Sequence, residues 1–117
     1  MIKHVDKLWG SEEWLVNTEL YCAKHLFVDP GFQCSLHYHK NKDETFYVLT
    51  GTIQIEIQKS GSDKIETYIL PEGNFIRIRP GDKHRFQSLG DRATILEVST
   101  HHEDEDSYRL ELSKKIW

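Results

Sequence analysis

Between residues 20 and 99 the chain alternates eight short runs rich in Val, Ile, Thr, Tyr and Phe with turns that carry Gly or Pro, and no other feature narrows its fold so far. The runs cover residues 20–28, 33–39, 45–49, 52–58, 64–70, 74–78, 84–88 and 94–99. Branched and aromatic side chains suit a pleated, half-buried surface. Between the runs stand Asp29-Pro30-Gly31, Thr50-Gly51, Ser60-Gly61-Ser62-Asp63, Pro71-Glu72-Gly73, Arg79-Pro80-Gly81 and Leu89-Gly90-Asp91, whose Pro fixes φ and whose Gly tolerates positive φ. Many short strands at such intervals predict an all-β sandwich or small barrel. At 117 residues there is room for one hydrophobic core, so a single domain is expected over residues 1–117, with the barrel at about residues 20–99.

Several function classes drop out on composition. Fifteen Lys and Arg against nineteen Asp and Glu give a net charge of −4, with basic residues scattered among acidic ones, so no stripe suits a nucleic-acid backbone. The longest apolar run, residues 46–49, is far short of the roughly 20 residues that span a bilayer, so no membrane partner is expected. Lys3, His4, Asp6 and Lys7 stand where an export signal would be apolar, and a cytoplasmic location is the expectation. Cys22 and Cys34, without CxxC spacing, are read as reduced thiols. Residues 107–116 fit a short helix or an edge strand equally well. Residues 7–17, with Trp9 and Trp14, are read as an aromatic arm lying on the barrel or across a subunit interface; together with Trp117 they lead us to expect a homodimer.

Chemistry concentrates in the histidines. His37 and His39, one residue apart in a strand, project from the same face about 6.6 Å apart along the chain, so two imidazoles can serve one ion. Glu44 opens the next strand, and His84, just past Pro80-Gly81, offers a third imidazole. Three imidazoles and a carboxylate suit a divalent transition metal (Zn, Mn, Fe, Co or Ni) better than Mg or Ca.

The framework Gly31-x5-His37-x-His39-x4-Glu44-x6-Gly51, then Gly73 and Pro80-Gly81-x2-His84, resembles the two signature motifs of the cupin superfamily. The first motif matches at every spaced position. The second departs at Asn74, at Pro80 and at Ser88, with the Gly81-to-His84 spacing intact. The resemblance implies a double-stranded β-helix, or jelly-roll, barrel with short N- and C-terminal extensions, and a metal held by His37, His39, Glu44 and His84. A narrower resemblance, carried by Lys7-Leu8-Trp9-Gly10, residues 24–31, His84-Arg85-Phe86, Leu96-Glu97-Val98 and residues 104–111, is to the C-terminal cupin domain of type II mannose-6-phosphate isomerases and related stand-alone sugar isomerases. It implies a sugar or sugar-phosphate substrate and aldose–ketose isomerisation through an enediolate. The nucleotidyltransferase domain of the bifunctional enzymes is absent from these 117 residues, and so is the usual Tyr-Gly-Arg ending.

Isomerisation needs a base that moves a proton between neighbouring carbons. Glu97 shares alternation parity with Ile95, so it is expected inside the barrel, where burial would raise its pKa, as the catalytic base. Lys24 is expected to act in catalysis and, with Arg85, to hold an anionic substrate group. Lys40 and Lys42, in the loop between the first motif's strands, read as solubilising, and the acidic residues 103–106 as a solvated loop. Two other readings stay open: a cupin dioxygenase with a three-His, one-Glu iron site, and a non-catalytic metal- or sugar-binding module.

Overall fold

The structure, a computed structural model, describes residues 2–117. Its strands are β1 (Lys3–Lys7), β2 (Gly10–Asn17), β3 (Cys22–Val28), β4 (Phe32–Gln33), β5 (Leu36–His39), β6 (Glu44–Thr50), β7 (Thr52–Gln58), β8 (Ile65–Pro71), β9 (Phe75–Ile78), β10 (Lys83–Ser88), β11 (Ala93–Ser99), β12 (Ser107–Glu111) and β13 (Lys114–Lys115). Among the described residues the one helical element is a 3₁₀ turn, Asp104–Asp106, and no helix is long and apolar enough to cross a membrane.

The strands form two antiparallel sheets. One runs β1-β2-β3-β11-β6-β9. In the other, β10 is flanked on one edge by β7, which leads to β8, and on the other by β4 and β5 in tandem; β12 closes on β5 and β13 on β4. This is the expected jelly-roll arrangement. Its interior follows from strand alternation: Ile53, Ile55 and Ile57 of β7, Leu26 and Val28 of β3, Phe46 and Val48 of β6, and Ala93 and Ile95 of β11 all turn inward and are buried. Burying such side chains contributes about 1.5–3 kcal/mol each.

The same alternation changes chemistry along each strand. Two residues beyond Leu26, Ile95 and Phe46 on the inward face come Lys24, Glu97 and Glu44, also buried. Because Glu97 pairs with both Lys24 and Phe46, and Ser99 with Glu44, these polar positions gather at one end of the barrel. One end is therefore packed with hydrocarbon, and the other is a charged cavity.

Two segments outside the expected barrel belong to the sheets. β1 and β2 form a hairpin that extends the first sheet, with Gly10 at its start. A Cβ on Gly10 would lie 1.8 Å from the Phe27 carbonyl oxygen, so only glycine admits this close pairing with β3. Residues 107–111, ambiguous between helix and edge strand, are an edge strand paired to β5. Two of the three tryptophans read as lying on the barrel or at a subunit interface are used within the chain. Trp9 is buried edge-on to Phe86 at 5.0 Å, and Trp14 lines the cavity, whereas Trp117 is exposed. Cys22 and Cys34 are free and buried; burial pushes the Cys34 thiol up to about 12, which keeps it protonated and inert.

Candidate metal centre

Local sequence brings three imidazoles together. His37 and His39 share one face of β5, and the antiparallel register sets His84 of β10 directly across from His37. One ring nitrogen from each of the three lies within 4.8 Å of the others. The turn before β10 is tied to this strand, because the Gly81 N–H, at a positive φ of 89°, donates to the His39 carbonyl at 2.7 Å. Glu44, first residue of β6, completes the cluster from the facing sheet: its Oε2 lies 3.3 Å from both His39 Nε2 and His84 Nε2.

The opposite ring nitrogens decide what this cluster can hold. His37 Nδ1 is 2.8 Å from the Ser35 carbonyl, His39 Nδ1 3.1 Å from that of Asp106, and His84 Nδ1 3.0 Å from that of Asp82. A carbonyl oxygen only accepts, so each Nδ1 donates and each neutral ring turns its Nε2 lone pair elsewhere. Those of His39 and His84 face the Glu44 carboxylate, acceptor against acceptor. His84 Nε2 and Glu44 Oε2 are accordingly buried without a hydrogen-bond partner. Orphaned buried acceptors are costly, and a shared cation satisfies them. Burial, and then the neighbouring His84, pushes His37 down to about 3; burial, then Lys42, pushes His39 down to about 2. Both rings are thus neutral and ligand-ready at physiological pH. The donor set fits a divalent transition ion.

Beside the cluster opens a cavity of about 450 Å³, whose lining includes His37, His39, Glu44, Lys24, Glu97 and Lys42. Glu97 does face this interior, but its expected high pKa is corrected. Burial alone would raise it; Lys42, then Lys24, outweigh burial and hold the carboxyl below its ordinary value. Lys42 Nζ sits 3.0 Å from Glu97 Oε2, 3.7 Å from Glu44 Oε1 and 3.1 Å from His102 Nδ1. Burial opposes its charge, yet Glu97 and Glu44 raise its pKa above the ordinary lysine value. Lys42 is therefore a buried cation and not the solubilising side chain expected. Lys24 is also buried, 3.8 Å from Glu12 Oε1 and 4.1 Å from the centre of the Trp14 ring.

Arg85 is the clearest correction. One residue from inward-facing His84, it turns to the opposite face of β10 and pairs with Glu56 at 3.0 Å and Glu111 at 3.4 Å, away from the cavity lining. Arg109 of β12, given no site role from sequence, lines the cavity instead. The acidic residues 103–106 are likewise not a uniform solvated loop: Asp106 is buried, and Asp104 accepts from His102 Nε2 at 2.9 Å. The Lys42–His102 contact reports why, since an ammonium donating to Nδ1 leaves the proton of His102 on Nε2.

Comparison with known proteins bears on the family and the fold. A family model described as the cupin domain matches residues 25–100. A D-lyxose/D-mannose isomerase of Thermosediminibacter oceani is 31% identical over 111 residues, covering 77% of this chain and 61% of the isomerase. A mannose-1-phosphate guanylyltransferase of Sinorhizobium fredii is 32% identical over 82 residues, covering 70% of this chain and 15% of that enzyme. The chain thus spans about three-fifths of the isomerase and a small part of the guanylyltransferase. Among solved structures, the capsular polysaccharide assembling protein CapF from Staphylococcus aureus superposes with a TM-score of 0.84 at 22% identity, over 96% of this chain and 32% of CapF, a likeness of fold.

Proposed function

From a chain that belongs to the cupin domain family, we propose a metal-dependent sugar or sugar-phosphate isomerase whose ion is held by His37, His39, His84 and Glu44. The observation that carries this reading is the adjacency, in one cavity, of a buried acceptor cluster and a buried Lys42–Glu97 pair. Sequence relatives named as sugar isomerases add to it.

A divalent transition ion bound there would supply Lewis-acid polarisation of a carbonyl oxygen and its neighbouring hydroxyl. The chain's own residues then have separable tasks. Glu97, ionised beside Lys42 and Lys24, accepts the proton from the carbon next to the carbonyl and returns it to the former carbonyl carbon, while the hydroxyl proton passes from the neighbouring oxygen to the former carbonyl oxygen, so an enediolate lies between the two carbon transfers. Its low pKa keeps it in the acceptor form at neutral pH and limits its strength as a base. The Lys42 and Lys24 ammonium groups place positive charge where the enediolate's negative charge develops, and the buried setting enlarges that effect. Trp14 and the β1–β2 hairpin wall the cavity and restrict water.

The test is anaerobic incubation of protein loaded separately with Zn, Mn, Co and Ni against a panel of aldoses and aldose phosphates, with ketose formation read by chromatography. Metal-dependent ketose formation, lost on chelation, is the expected result. Turnover that requires Fe(II) and consumes oxygen would replace this reading with an oxygenase, and metal binding without turnover on any aldose would leave a binding module.

A further inference from the structure

Residues 101–117 lie beyond the stretch matched by the family model, yet part of this segment folds back over the strand that carries His37 and His39. β12 pairs with β5 so that Ser107 stands opposite His39, Tyr108 opposite Tyr38 and Arg109 opposite His37. The Tyr38 and Tyr108 rings stack at 5.1 Å, and Lys40 Nζ lies 4.6 Å from the centre of the Tyr108 ring. At the head of this strand, on the 3₁₀ turn, sits Asp106.

Asp106 makes two kinds of contact at once, as Asp82 does in the turn before β10, where its carboxylate accepts from Ser60 N and Arg79 N and its carbonyl from His84 Nδ1. The Asp106 carboxylate is buried and accepts from the backbone of the loop after β5: Oδ1 from Lys40 N at 2.9 Å and Asn41 N at 3.1 Å, Oδ2 from Asn41 N at 3.2 Å and Lys42 N at 3.0 Å. Three successive amides converging on one carboxylate form an anion nest, here filled from within the chain. Its backbone carbonyl meanwhile accepts the His39 Nδ1 proton at 3.1 Å. One residue thereby holds the backbone of Lys42, whose ammonium faces Glu97, and fixes the tautomer that points the His39 Nε2 at Glu44.

We propose that Asp106 is the positioning residue of this site, a latch by which the C-terminal segment sets His39 and Lys42 in their working poses. Without the carboxylate the three loop amides lose their acceptor and the 3₁₀ turn loses its anchor, so the carbonyl that orients His39 drifts with it. His37 and His84 are oriented by carbonyls of Ser35 and Asp82, outside the latch, and keep their tautomers. The effect on ligand affinity rests on the reading of this cluster as a metal centre; the effect on His39 does not.

The experiment compares the whole chain with Asp106→Asn and Asp106→Ala, the former being the milder change should the latter fold poorly, and with Ile53→Val as a core variant destabilised away from the cavity. In metal-free protein, ¹⁵N–¹H spectra of the imidazoles and hydrogen exchange of the Asn41 and Lys42 amides are read. The expected result is that His39 alone leaves the Nδ1–H tautomer and that both amides lose protection in the Asp106 variants, whereas Ile53→Val lowers the melting temperature without moving either signal. Unchanged His39 tautomer and unchanged amide protection in Asp106→Asn and Asp106→Ala would overturn the proposal. A second reading titrates Co(II) by its visible absorption: affinity should fall about 10- to 100-fold in Asp106→Ala, the range typical for partners that orient a ligand. Failure of the unaltered chain to bind Co(II) would sink the metal-centre reading, and the metal-free spectra would still decide the role of Asp106.

Discussion

Lys42 Nζ and Glu97 Oε2 meet at 3.0 Å across 55 residues of sequence, with both side chains almost fully buried. An ion pair so enclosed is rarely gained for stability alone, because desolvating two charges offsets most of their attraction. Replacing Lys42 by Met keeps the length and removes the charge, which leaves Glu97 facing Lys24 and, more weakly, His102. We expect Lys42→Met to fold, to bind metal within a few-fold of the unaltered chain, and to lose about 10²- to 10³-fold in the proposed isomerase turnover, the usual worth of one group placed at developing negative charge. Steady-state kinetics beside a metal titration measures both. Full turnover in Lys42→Met would remove the pair from the proposed chemistry.

Metal removal has a stability consequence that does not depend on turnover. A ligand that binds the folded chain and not the unfolded one stabilises it by about 2.7 kcal/mol when present at 100 times its dissociation constant. Adding Zn or Co to the metal-free protein should therefore raise its melting temperature by several degrees, reversibly with chelator. Glu44→Gln, which retains an acceptor oxygen and loses the charge, should shrink that increment, and His84→Ala, which removes a fully buried ring, should abolish it. A melting temperature indifferent to every transition metal would contradict the assignment of these ligands.

The spacing of His37, His39, Glu44 and His84 was legible because period-two alternation and turn glycines fix which side chains share a face. Residues governed by that local rule fell where the sequence places them: Glu97 points inward with Ile95, and the three isoleucines of β7 are buried together. Arg85 was legible too, since its parity opposite to His84 already sends it outward; chemical type outweighed geometry in that expectation. Lys42, His102 and Asp106 were not legible. Their partners lie 55 to 67 residues away, and a polar loop residue looks the same in sequence whether solvent or a distant carboxylate receives it. The β1–β2 hairpin escaped notice because Lys3, Val5 and Lys7 face a polar cavity, so its inward face lacks the apolar rhythm that marks a strand.

Acid should weaken the metal-free protein chiefly through His37 and His39, beside the smaller depression that burial gives His102. Below pH 6.5 the unfolded chain takes protons on His37 and His39, while the folded chain refuses them until about pH 3 and about pH 2. The unfolded state then binds more protons, and stability falls as pH falls. Each ring contributes a slope approaching about 1.4 kcal/mol per pH unit below 6.5. Urea unfolding between pH 7.5 and 5, above the range where most carboxylates titrate, should show this loss, and His37→Gln should remove about one proton's worth of the slope. Identical pH profiles for the two proteins would mean that the imidazole is not held neutral by the fold.

The contrast between Lys24 and Arg85 separates cavity chemistry from surface charge. Arg85 bridges Glu56 and Glu111 on the outside of β10, where ion pairs contribute about 0–1 kcal/mol, so Arg85→Ala should change the melting temperature slightly and kcat/KM by less than twofold. Lys24 is enclosed between Glu12 and the Trp14 ring and pairs in register with Glu97. Lys24→Met keeps the hydrocarbon stem and the packing on Trp14, yet strips one of the two cations that hold Glu97 low. Glu97 should then titrate higher, and the acid limb of the kcat/KM profile should move to higher pH in Lys24→Met and stay in place in Arg85→Ala. A profile in which both variants coincide with the unaltered chain would show that the Lys24 ammonium does not act on the proposed base Glu97, and equal losses of activity in the two would return Arg85 to the site.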